Sequence, residues 1–339
     1  MCINALSDEV LKERIASTLS DYRHVPRNGM SVAHVSRWIN QFPADDRRFV
    51  LEETDRILSM GYFRKQDYDR FILEVAGDEE NEDVFENAAF LDIQENGLSQ
   101  NELIDSLCTE YTGDINLVTR GSSGTWVRGF GRFVYFDDVC FSGLKASEDI
   151  VWFIEHFNLR NVEIILYFMG NHTSAAWQIK QKIDRSFPDS GITIYVSGGE
   201  LKSIENRLTY NASSNVFWPT EQNAVIPPSV RNPANYTGTC RDGFIASDFF
   251  PDEQRRNRLE SILTAIGFEI LSHSVEPRSS LKPLGFCPFR GLGFGGTMFT
   301  YRNCPNNVPL AFWWGNYEQT GGPALACWYP LMKRIVYTR

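Results

Sequence analysis

The chain has 339 residues, with 33 Lys and Arg against 43 Asp and Glu, for a net charge of −10. At roughly 150 residues per domain, this length predicts two domains or one large domain with an appendage. Hydrophobic residues make up 42% and charged residues 22%, which excludes wholesale disorder. The acidic balance excludes a broad cationic nucleic-acid surface.

No apolar run approaches the roughly 18 residues of a membrane helix. Residues 1–8 have no basic stretch leading into an apolar one, so neither a membrane span nor an export signal is expected. The seven cysteines are scattered, with no Cys-x-x-Cys, and the five histidines are isolated. That pattern predicts no zinc knuckle or redox pair and fits a reducing cytoplasm.

Residues 1–76 read as a helical segment. Val50, Thr54, Ile57 and Leu58 keep the spacing of one buried helix face. The acidic stretch that begins Gly77-Asp78-Glu79-Glu80 repels itself, so residues 77–88 are expected to be a linker. From 89 to 224 strands and helices alternate. Residues 90–94 read as a strand, and Ser99 with Glu102 matches a capping box opening a helix. A second strand is expected at 115–119. The glycine-rich stretch 120–131 follows and reads as a mobile loop. A third strand at 133–136 leads to a helix carrying Ile150, Phe153, Ile154 and Phe157. A fourth strand at 162–168 lacks alternation, as suits burial on both faces. A helix and a fifth strand at 192–196 complete the pattern. The expected fold class is α/β, a parallel sheet flanked by helices. Such sheets bind ligands at the carboxyl ends of their strands. Residues 225–339 form a mixed region, with a helix at 251–266 expected to stop at Gly267. The stretch 291–296 imitates a dinucleotide fingerprint, but no strand–helix unit surrounds it, so it reads as turn chemistry.

The most informative segment follows the third strand. An apolar run enters Asp137-Asp138, then Val139-Cys140-Phe141-Ser142-Gly143-Leu144-Lys145-Ala146, and a helix begins. Backbone N–H groups at a helix start can hold a phosphate, aided by the helix dipole. Carboxylates at the strand tip can accept hydrogen bonds from vicinal ribose hydroxyls. Together they make a sugar-phosphate cradle.

This segment resembles the phosphoribosyl pyrophosphate (PRPP) motif of type I phosphoribosyltransferases. Asp137 and Asp138 match the acid pair, Val139 and Cys140 the apolar pair, and Ser142 and Gly143 the phosphate loop. Phe141, Leu144 and Lys145 depart from it. Further likeness lies in Trp38 with Gln41-Phe42, in Leu91-Asp92-Ile93-Gln94 with Ser99-Gln100, and in Asn303-Cys304-Pro305-Asn306-Asn307 followed by Trp313-Trp314. Over about residues 30–335 the chain looks like the phosphoribosyltransferase family of bacterial conflict elements, PRTase-CE.

The resemblance implies roles for other positions. Asn96, Gly97 and Ser99 fall where the family binds pyrophosphate, although the usual basic residue is missing. Arg120 and Arg128 fall where a lid closes, and could supply the missing charge. Residues 141–146 would hold the 5′-phosphate. A C-terminal hood should cover the acceptor, with Asn303, Asn306 and Asn307 reading a base edge and Trp313 stacking on it. A turn and a filled core are the plain alternatives for those four. Mg2+ is implied, held through water by Asp137 and Asp138, because pyrophosphate leaves poorly without charge neutralisation.

Three functions stay open at this point. The first is a glycosyl-transfer enzyme using PRPP, an effector in a retron-type anti-phage operon whose partners would be a reverse transcriptase and a small DNA-binding protein. The second is a non-catalytic nucleotide sensor on the same fold. The third is a toxin subunit modifying nucleotide or RNA.

Overall fold

The computed structural model describes residues 6–95, 99–207, 214–238 and 240–336. Contacts divide the chain into two units, one of Met1–Lys65 with Asn206–Ile335 and one of Gln66–Glu205 with Val336–Arg339. The expected N-terminal segment is therefore split: up to residue 65 it shares a unit with the C-terminal third, and residues 66–76 lie with the sheet. Among the described residues no helix is long and apolar enough to cross a membrane.

The second unit holds the expected sheet. Its strands are β1 (Ala89–Asp92), β2 (Asn116–Thr119), β3 (Arg132–Cys140), β4 (Glu163–His172) and β5 (Thr193–Ile204). They lie in the order β2-β1-β3-β4-β5, all pairs parallel. Residues 133–136 are buried without alternation, because helices cover both faces. On one face Phe133 and Tyr135 pack with Ile150, Phe153 and Ile154 of the helix Leu144–Phe157, beside Ile179 and Ile183 of Thr173–Ser186. On the other face an aromatic stack runs Phe85, Phe90, Phe136 and Tyr167, with ring centroids 5.0–6.1 Å apart.

The acidic stretch is not a linker. Residues Glu79–Asn87 form a helix capped by Asp78, whose carboxylate accepts the Glu80 N–H at 3.0 Å. Acids in a first turn are stabilised by the helix dipole. Phe85 is fully buried, and Asn81 accepts the Tyr167 hydroxyl at 2.6 Å. One buried aromatic and one anchor outweigh the self-repulsion that the sequence pattern registered.

The glycine-rich stretch is folded as well. A short helix spans Gly124–Val127; Val127 is fully buried, and Phe130 lies against Trp126 and Phe133. Apolar side chains three residues apart anchor it despite its glycines.

In the first unit, Val50, Thr54, Ile57 and Leu58 are all buried on the helix Ala44–Gly61. Trp38 packs on Phe42 and Phe312, and Phe42 on Trp328. The C-terminal helix runs Glu253–Ser272, past the expected stop. A Cβ at Gly267 would come 2.5 Å from Pro283 Cα, so this glycine serves a close contact and not a cap. Gly293 and Gly295 have φ of +138° and +69° and lie tight against Leu284 and Phe217. That is the turn chemistry expected of 291–296.

Candidate functional site

The strand order reverses between β1 and β3, and parallel sheets bind ligands at the carboxyl end of such a switch point. Here β1 and β3 pair over three residues only, ending at Leu91 opposite Tyr135. On its other side β3 stays paired with β4 as far as Cys140. Asp137 and Asp138 therefore lie on a stretch of β3 whose β1 side has opened into a crevice.

Asp138 is skipped in the pairing with β4. Its N–H donates to Asp137 Oδ1 at 2.9 Å, and the Val139 N–H donates to Asp138 Oδ1 at 2.9 Å. Short acidic side chains compete with a ladder for backbone donors in this way. Across the crevice, Gln94 Nε2 donates to Asp137 Oδ2 at 2.9 Å, and Ser99 Oγ donates to Gln94 Oε1 at 2.9 Å. Ser99 thus contributes its hydroxyl to this chain. Gln100 Oε1 accepts the N–H groups of both Ile93 and Gln94 at 2.9 Å, pinning the tip of β1. Burial, with the Asp138 carboxylate next to it, pushes the Asp137 carboxyl up to about 7.

A third carboxylate is linked to the acid pair through Tyr135 and Gln94. Asp149 accepts the Tyr135 hydroxyl at 3.1 Å and Lys145 Nζ at 2.6 Å. Burial raises its pKa, and Lys145 opposes that rise.

The turn 141–146 leads into the helix Leu144–Phe157. Gly143 is left-handed, with φ of +73°. The Leu144 N–H donates to Ser142 Oγ at 3.3 Å, and the Ser147 N–H to Gly143 O at 2.9 Å. In the first turn, Lys145 and Ala146 have no intrahelical acceptor for their N–H groups. These are the donors that an anion would meet. Phe141 turns inward and stacks on His172 at 4.8 Å. Burial pushes the His172 pKa down to about 4. The unusual Phe141 is thus a packing residue.

The two arginines part company. Arg120 Nε donates to the Ile93 carbonyl at 2.7 Å, and its guanidinium lies 4.0 Å over the Trp152 ring, next to the crevice. Arg128 Nη1 donates to Phe157 O at 3.2 Å. Phe157 ends the 14-residue helix that begins at the phosphate turn, roughly 20 Å along its axis. Arg128 therefore caps that helix at the end away from the turn. Asn96 and Gly97 lie outside the described residues.

Asn303, Asn306, Asn307 and Trp313 belong to the other unit, where backbone groups pair with the side chains of Asn303, Asn307 and Trp313. Asn303 donates to Ile335 O at 2.7 Å and accepts from Ile335 N at 3.1 Å. Asn307 donates to Phe286 O, and the Asn306 carbonyl accepts from Phe286 N. The Trp313 indole donates to Val308 O, and the ring is buried. Replacing Asn303 and Asn307 together by Ala strands these backbone groups. It is expected to lower stability by about 1–3 kcal/mol per site, read in a thermal melt.

Among the described residues no group of three or more His, Cys, Asp or Glu could hold a metal ion. Two adjacent carboxylates, each already accepting a backbone N–H, fit a divalent cation through its waters and not in an all-protein cage.

The acid pair and the turn are legible in the sequence. Gln94 and Gln100 stand there only as points of likeness, and no motif marks Tyr135 or Asp149. Two patterns could have found them: Tyr135 is two residues before Asp137 on one strand face, and Lys145 and Asp149 are four apart on a helix.

The PRTase-CE family model matches the chain over residues 35–334. The search of the curated proteins found no match.

Proposed function

The chain belongs to the PRTase-CE family, and on that premise we propose that the β1/β3 crevice binds PRPP or a related ribose 5-phosphate compound and transfers its ribosyl phosphate. The observation that carries this reading is the acid pair on the open edge of β3 at the switch point, directly ahead of the phosphate-competent helix turn 141–146. Asp137 and Asp138 accept the ribose hydroxyls. The turn 141–146 holds the 5′-phosphate through the Lys145 and Ala146 amides. The bond from C1 to the leaving oxygen breaks with its electron pair departing on pyrophosphate, and the acceptor forms the new bond at C1. Mg2+, held through water by the acid pair, would supply charge neutralisation for the leaving group. The test is incubation with PRPP, Mg2+ and candidate acceptors such as nucleobases and amines, followed by assay for pyrophosphate. Release supports transfer; failure to bind any ribose 5-phosphate compound overturns the reading.

One observation favours a second reading, a nucleotide sensor without turnover. The Ile93 and Gln94 amides at the tip of β1 are already spent on Gln100, so they are not presented to a pyrophosphate. PRPP binding without release selects this reading. The family's association with conflict elements supports an effector role in anti-phage defence, in the cytoplasm, with a reverse transcriptase and a small DNA-binding protein as partners. Toxicity on expression that those partners suppress would test this role.

A further inference from the structure

Asp149 has a side chain only 3% exposed, and its ion-pair partner Lys145 is 47% exposed. A carboxylate so enclosed stays ionised only while a cation accompanies it. The groups facing it are Lys145 on its own helix, Tyr135 from β3 and, through space, Arg120 from the loop after β2. Arg120 is fixed by the Ile93 carbonyl and the Trp152 ring. Lys145 is the partner that can move.

Lys145 is also poorly placed as a helix ion pair. It lies in the first turn, against the positive end of the dipole. It precedes its acid by four residues, the weaker orientation. An anion at that turn is a better partner for it than Asp149. Through Tyr135, the same Asp149 carboxylate also reaches toward the acid pair: Gln94 Nε2, which holds Asp137, lies 3.5 Å from the Tyr135 hydroxyl.

Resting on the reading that a ribose 5-phosphate seats on the turn 141–146, we propose that Asp149 is a positioning residue joining the phosphate end of the crevice to the acid-pair end. A seated phosphate draws Lys145 off Asp149, and Asp149 takes up a proton from solvent in its place. Tyr135 keeps its hydrogen bond to Oδ2, and the proton resides on Oδ1. Ligand binding at this site is then coupled to protonation, and affinity falls as pH rises through the titration of Asp149.

The experiment is calorimetry of the full chain with ribose 5-phosphate, in buffers of different ionisation heat near neutral pH. The number of protons taken up is compared with that of Asp149→Asn. The Asn keeps the shape, and the comparison subtracts protons exchanged by the ligand and by Asp137. The wild type is expected to take up more protons per ligand than Asp149→Asn, by up to one. Lys145→Met should also lose this uptake, because Asp149 is then already protonated before binding. A purely structural role would lower the melt of Asp149→Asn and leave the proton count unchanged. Ribose 5-phosphate binding with equal proton counts in all three proteins would overturn the coupling alone. Absence of binding to the wild type would overturn the ribose 5-phosphate reading and the coupling with it.

Discussion

Asp137→Asn combined with Asp138→Asn is expected to abolish turnover and weaken binding of ribose 5-phosphate compounds while leaving the fold intact. Each lost charge-assisted hydrogen bond removes about 1.5–3 kcal/mol, roughly a 10- to 150-fold loss of affinity per carboxylate. The fold tolerates the change because the network can turn over. Gln94 now donates to Asp137 Oδ2 and accepts from Ser99. With Asn at 137, the Gln94 amide can flip, accept from the new NH2 and donate to the Ser99 hydroxyl.

The pH dependence of stability tests the same pair independently of any ligand. Folding raises the Asp137 carboxyl from 3.8 to about 7, so the folded chain binds this proton more tightly than the unfolded chain. Between those values, the stability contributed by this group falls as pH rises. The double variant lacks that slope. Its melting temperature relative to wild type should therefore rise between about pH 5 and about pH 8. Parallel melting curves would remove the strained acid pair, and unchanged affinity would remove it as the ligand site.

Gly143→Ala is expected to destabilise the unit that carries the sheet, whether or not ligand is present. The position has φ of +73°, and a Cβ there would lie 2.7 Å from Ile179 Cγ1 and 2.8 Å from the Ala175 carbonyl oxygen. Left-handed strain of about 1–2 kcal/mol and overpacking of about 1–3 kcal/mol act together. The carbonyl is backbone on the helix Thr173–Ser186 and cannot swing aside. Gly29→Ala provides the control, since Gly29 has φ of +74° and nothing within 4 Å of its Cβ position. It should show the strain of about 1–2 kcal/mol alone. A Gly143→Ala melt no lower than that of Gly29→Ala would refute the packing account. The glycine would then be required only by the approach of a phosphate. Gly143→Val adds two methyl groups at the same contact and should fold worse still.

The sequence by itself determined the alternation of strands and helices, the parallel sheet and the placement of Asp137, Asp138 and Gly143 between a strand and a helix. Those features depend on side-chain periodicity and turn chemistry over a few residues, which short-range sterics impose wherever the chain folds. The tertiary structure alone decided which strands are neighbours, and so where the crevice opens. It brought Gln94 to Asp137, 43 positions away, a contact that no local pattern encodes. It also separated Arg120 from Arg128, which have the same charge eight residues apart in one glycine-rich stretch. One is held by the Ile93 carbonyl at the crevice, the other by the Phe157 carbonyl at the far end of a helix. It made a helix of the acidic run 79–87, because burying Phe85 outweighs repulsion between solvated charges. It carried the C-terminal helix through Gly267, because Pro283 needs the space. In each case a long-range contact overruled a local preference worth on the order of 1 kcal/mol.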